Sequence, residues 1–91
     1  MVEDTLGFQV IGRHGELGLV VGVTRSDAGE RVTAIVVRGG ISSSLTYYVP
    51  AVHVRRVSAE AASVFVDLDL TDFVPVLKED GTIELHAPVA S

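Results

Sequence analysis

Almost no stretch of this chain spaces its apolar residues three and four apart as a helix face requires. Short β-branched runs cut by turn residues take their place. Nine glycines fall within the first 81 residues. That pattern predicts an all-β fold of about six short strands. Phe8 to Ile11 reads as the first, closed by Gly12-Arg13-His14-Gly15, and Leu17 to Arg25 as the second. Gly18 and Gly22 inside the second strand predict a bend or bulge. Ser26 to Glu30 reads as a hairpin loop, Arg31 to Arg38 as a third strand apolar on both faces, and Gly39 to Ser44 as a connection. Leu45 to Val49 returns as a fourth strand. The spacing then changes between Val54 and Val57, as in a bent strand or short turn.

Ser58 is placed to cap one helical turn running to Ser63. From Val64 to Leu70 the alternation is cleanest, with Val64, Val66, Leu68 and Leu70 expected inward and Phe65, Asp67 and Asp69 outward. Thr71 to Lys78 reads as a connector broken by Pro75. The Asp80-Gly81 turn then leads into a last strand carrying Ile83, Leu85 and Ala87 and ended by Pro88.

At 91 residues and 9.6 kDa the chain is one domain, 1–91. A chain this size buries somewhat over 60% of its unfolded surface, enough for one modest core but not for a deep cleft as well. A net charge of −5 argues against nucleic acid as the main partner. With no cysteine there is no disulfide, thiolate metal site or cysteine nucleophile. No apolar run reaches membrane-span length, and the acidic start lacks a basic region followed by an apolar stretch. A cytoplasmic location is expected.

Gly15 to Val23, followed by an acidic turn and Thr33 to Val37, then Tyr48-Val49-Pro50 through Val57 and Val64-Phe65-Val66-Asp67, resembles the PRC-barrel family over residues 8–70. The likeness lies in hydrophobic order and turn placement. It implies a small five- or six-stranded β-barrel with residues 71–91 as a C-terminal strand or hairpin addition. It also implies a protein-binding or assembly role, with no catalytic residues to carry over. The family's known members include the cytoplasmic H subunit of photosynthetic reaction centres and the C-terminal domain of an rRNA-processing factor; this chain lacks the partner domains of both.

Asp67, Asp69 and Asp72 are the candidate metal ligands, because three carboxylates on one strand face and its end suit a hard cation. His53 or His86 would complete such a site. The competing reading is a solvated outer face that also deters edge pairing. His14, His53 and His86 lack metal-ligand spacing. Ser42 to Ser44 could supply a nucleophile for a triad but lack a nucleophile-elbow context. The Gly12–Gly15 and Gly39–Gly40 segments match no phosphate-binding fingerprint.

The aromatic and apolar excess points elsewhere. Tyr47 and Tyr48 are adjacent, so one of them faces out, and both faces of the third strand are apolar. Something must cover the outer one, either the segment beginning at Phe73 or a second subunit. The expected interface residues are Tyr47, Tyr48, Phe65, Ile35, Val37 and Phe73. The reading is thus a non-enzymatic interaction or assembly module without a cofactor, a homodimer that docks onto another protein. The alternative is a small-ligand or divalent-ion binding protein using the acidic face.

Overall fold

The β-branched runs do pair. In the computed structural model, which describes residues 5–27, 29, 31–39 and 45–87, eight strands form a single mixed sheet. They are β1 (Gln9–Gly12), β2 (Gly15–Arg25), β3 (Val32–Gly39), β4 (Leu45–Pro50), β5 (Val54–Ser58), β6 (Ser63–Val66), β7 (Val74–Leu77) and β8 (Ile83–His86). Their order across the sheet is β5-β6-β1-β2-β3-β4-β8-β7. The all-β expectation holds. The count of five or six strands and the closed barrel do not describe this sheet, which has two free ends at β5 and β7.

Two parallel pairings set that order. β6 returns beside β1, with Val10 opposite Val64, and β8 runs beside β4, with Tyr47 opposite Leu85. The remaining pairs are antiparallel. The bend expected in the second strand is present as register shifts in β2, at its pairing with β1 and again between Val20 and Gly22. These shifts let one long strand serve two neighbours while curling around a single core.

Val10, Leu17, Val20, Ile35, Val37, Tyr47, Val49, Val64, Val66, Leu68, Phe73 and Ala87 form that core. The third strand settles its two-faced character by sending Ile35 and Val37 in and leaving Val32, Ala34 and Val36 partly exposed on the other side. The C-terminal segment does not fold over the outer face of the third strand: β8 and β7 extend the sheet beyond β4, and Phe73, Ala87 and Leu85 pack on the core side.

Several local expectations change in detail. A 3-10 turn, Ala51–His53, accounts for the altered spacing before β5. Ser58 does cap, accepting the Ala61 N–H at 3.2 Å, but over a turn, not a helix. The strand from Val64 ends at Val66, and a second 3-10 turn, Leu70–Asp72, carries Leu70 out to solvent. Pro75 lies within β7 instead of breaking a connector. An edge strand tolerates proline because one side of it has no ladder to donate to. Ser42 to Ser44, most of the Gly39–Ser44 connection, and Pro88 lie outside the described residues.

Candidate functional site

The three aspartates are drawn to different partners. Asp67 accepts hydrogen bonds from His53 Nδ1 at 2.9 Å and from Arg55 through Nε, at 2.9 Å, and Nη2. Its own N–H donates to the His53 carbonyl at 3.1 Å. This ties β5 to the end of β6. Asp69 and Asp72 form a reciprocal cap on the 3-10 turn. The Leu70 N–H donates to Asp69 Oδ1 at 2.8 Å, and the Asp69 N–H donates to Asp72 Oδ2 at 2.8 Å. Arg13 then reaches Asp72 at 3.0 Å, and His14 Nδ1 lies 3.1 Å from Asp69, fastening the turn to the β1–β2 hairpin. Among the described residues no three His, Asp or Glu side chains gather as a metal site. The spacing Asp69-Leu70-Thr71-Asp72 carries the signal for this arrangement, an acidic variant of the capping box.

Those bonds have a pH signature. Hydrogen bonds from Arg55 first, then His53, hold the Asp67 carboxyl below its ordinary range. Burial pushes Asp69 upward, but the Leu70 N–H and the His14 charge outweigh it, and its carboxyl is also held low. Thr82 lowers Asp80, and His86 leads the groups that lower Glu84. A carboxyl depressed by folding contributes stability that is fully present above its unfolded pKa and lost as pH falls through the folded value. The urea midpoint is therefore expected to decline below about pH 4, the ordinary carboxylate range. Asp67→Asn should flatten that decline; identical midpoint-against-pH curves would remove Asp67 as a contributor.

Of the six expected interface residues, Ile35, Val37, Tyr47 and Phe73 lie inside the core of the single chain, out of a second subunit's reach. Tyr47 meets Phe73 edge-on, with ring centroids 5.1 Å apart. The phase of β3 and β4 turns Ile35, Val37 and Tyr47 to the core and assigns surface roles to their neighbours. Tyr48 and Phe65 do reach the surface in part, and Phe65 lies beneath the Arg56 guanidinium at 4.5 Å.

The face of β3, β4 and β8 turned away from the core carries an apolar groove. Cross-strand register aligns Val36, Tyr48, His86 and Val74 in one row, and Ala34 with Pro50 in the next. An open groove of about 520 Å³ runs over Val32, Ala34, Tyr48, Pro50, Val52 and His86, with Arg31 at its edge. The floor is preorganised. The Tyr48 and His86 rings stack at 4.8 Å, the Tyr48 hydroxyl donates to Glu84 at 3.3 Å, and His86 Nε2 lies 3.0 Å from the same carboxylate. Burial, followed by the adjacent Glu84 charge, pushes the Tyr48 phenol upward. Lys78 stands 3.7 Å from Glu84, so that carboxylate is engaged from three sides. Of the expected interface residues Tyr48 lies on this face, whereas Ile35, Val37 and Tyr47 of the same strands point to the core. Tyr48 beside the Val32/Ala34/Val36 phase was the available signal.

A second exposed apolar surface lies at the sheet end. Val74, Val76 and Leu77 of β7 and Ile83 of β8 are between 41% and 75% exposed. The Lys78 N–H donates to the Thr82 carbonyl at 2.8 Å. Antiparallel alternation then turns Val74 and Val76 N–H groups toward β8 and directs positions 75 and 77 outward. Proline at 75 leaves Leu77 as the one outward donor in β7. The β5 edge carries Arg55 and Arg56 and a register shift, both of which discourage strand addition. No protein-family model matches this chain, and no curated protein matches it.

Proposed function

We propose that this chain is a non-enzymatic protein-interaction module that self-associates as a dimer and docks onto another protein, working in the cytoplasm. The carrying observation is β7, a four-residue strand of Val-Pro-Val-Leu exposed along its whole length. Apolar surface of this kind costs free energy in water and favours association. Because the edge offers a single outward N–H, the association is by side-chain packing around the β7 edge, with Val74 and Val76 on one face of the sheet and Leu77 and Ile83 on the other, most simply about a two-fold axis. The hydrophobic order of residues 8–70 supports kinship with PRC barrels, whose known roles are in assembly, with β7 and β8 as the addition. The cysteine-free composition supports the cytoplasmic setting.

Light scattering coupled to size exclusion, at two concentrations about tenfold apart, tests the dimer. A mass near twice 9.6 kDa is expected for the native chain, falling to the single-chain mass in Leu77→Glu with the circular-dichroism spectrum unchanged. A native chain at 9.6 kDa under both conditions would overturn self-association.

A further inference from the structure

The six arginines divide by place. Arg13 is paired to Asp72, Arg55 to Asp67, and Arg56 lies on the Phe65 ring. Arg25, Arg31 and Arg38 have no side-chain partner among the described residues, and all three lie on or beside β3. Arg25 is opposite Val32, Arg31 precedes that residue at the groove, and Arg38 lies farther along the same strand. The chain carries a net charge of −5, yet among the described residues that line the groove none is a carboxylate. The Glu84 carboxylate beside Tyr48 and His86 is already engaged by Tyr48, His86 and Lys78. An apolar floor thus has one guanidinium group, that of Arg31, without a partner among the described residues, on a protein of net charge −5.

We propose that this groove receives an acidic-apolar segment of a partner protein. Large apolar side chains seat on Val32, Ala34, Pro50 and Tyr48, and an adjacent carboxylate is held by Arg31. The inference rests on the interaction-module reading and names the chemistry of the docked partner. Planar guanidinium groups bind carboxylates through two parallel hydrogen bonds, and Arg31 favours an acidic segment over a basic one at this groove. The groove lies on a sheet face and not along an edge. Its occupant is therefore recognised by side chains and not by an added strand. Val74 of β7 continues the row of Tyr48 and His86, but no β7 residue lines the groove, so the two contacts use different side chains.

The test uses isotope-labelled full-length chain and a hexapeptide with two leucines beside two aspartates, followed by amide chemical shifts. Control peptides carry asparagine for aspartate or serine for leucine. Saturable shifts are expected at Val32 to Ala34, Tyr48 to Val52 and His86 to Ala87. Affinity should fall about threefold to fivefold for the asparagine peptide, as for an exposed ion pair, and about tenfold or more for the serine peptide. Arg31→Gln should make the aspartate and asparagine peptides equivalent. Val52→Glu, at an exposed position, should abolish binding while the rest of the spectrum stays unchanged. Equal binding of aspartate and asparagine peptides at the groove would overturn the acidic requirement while leaving an interaction groove in place. Shifts elsewhere, or no saturable shift at millimolar peptide, would overturn the groove itself; the dimer is judged separately by mass. Tighter binding of a short single-stranded oligonucleotide at the same amides would assign the arginines to nucleic acid and overturn the proposal.

Discussion

Phe73→Ala is expected to lower stability by about 3–5 kcal/mol, the range for truncating a large core side chain. Phe73 is 8% exposed and follows directly on the 3-10 turn capped by Asp69 and Asp72. Its ring closes edge-on against Tyr47 of β4, a geometry worth about 0.5–1.5 kcal/mol beyond area burial. It thereby pins the start of the β7–β8 segment to the sheet it extends. Domains of this size have about 5–15 kcal/mol in total, so the variant loses about a fifth or more. Urea denaturation at two protein concentrations gives the check. An interface role would make the loss vanish at the dilution where the dimer dissociates, because association stabilises by mass action. A core role makes the loss independent of concentration, which is the expected result. A midpoint within about 0.5 kcal/mol of the native chain, the usual scatter of surface substitutions, would place Phe73 outside the core.

What could be read from the chain, and what could not, follows from how far each signal reaches. Period-two runs of Val, Ile and Tyr are local, so β2, β3 and β4 were legible to within two residues, as was the turn at Asp80-Gly81, where Gly81 has φ +89°. Pairing is not local. Nothing in the run Ser63–Val66 says that it lies parallel to β1, or that Ile83–His86 lies parallel to β4, and those two choices leave an open sheet in place of a closed barrel. The phase of a strand apolar on both faces is equally non-local. Ile35 and Val37 go inward only because β2 and β4 present Val20, Tyr47 and Val49 on that side. The acidic cluster failed for a different reason. Asp67, Asp69 and Asp72 are close in sequence, but their cationic partners come from Arg13, His14, His53 and Arg55, elsewhere along the chain. Groove residues such as Val52 and His86 converge only once β8 has docked.

The same non-local geometry makes Gly39→Ala costly although an alanine suits a strand better than glycine does. A methyl group added at Gly39 would meet the Leu17 carbonyl oxygen and lie 2.5 Å from Gly18 Cα. One added at Gly18, whose φ is +154°, would lie 2.5 Å from the Arg38 carbonyl oxygen and 2.8 Å from Gly39 Cα. All of these are backbone atoms, so no rotamer change relieves the clash, and β2 and β3 must separate locally where Leu19 faces Arg38. Overpacking of this kind costs about 1–3 kcal/mol, and the Gly18 backbone conformation adds a further penalty of about 1–3 kcal/mol for any side chain there. Gly39→Ala is expected to lose about 2–3 kcal/mol and Gly18→Ala more. Gly22, in the same strand as Gly18, has nothing within 4 Å of an added methyl. Gly22→Ala should therefore be neutral or gain up to about 1 kcal/mol by restricting the unfolded chain. Thermal or urea midpoints of the three variants decide the matter, since one chemical change is expected to act in opposite directions at positions 22 and 39. Equal losses at both would mean that loss of glycine flexibility along β2 and β3, and not the contact between two backbones, sets the cost.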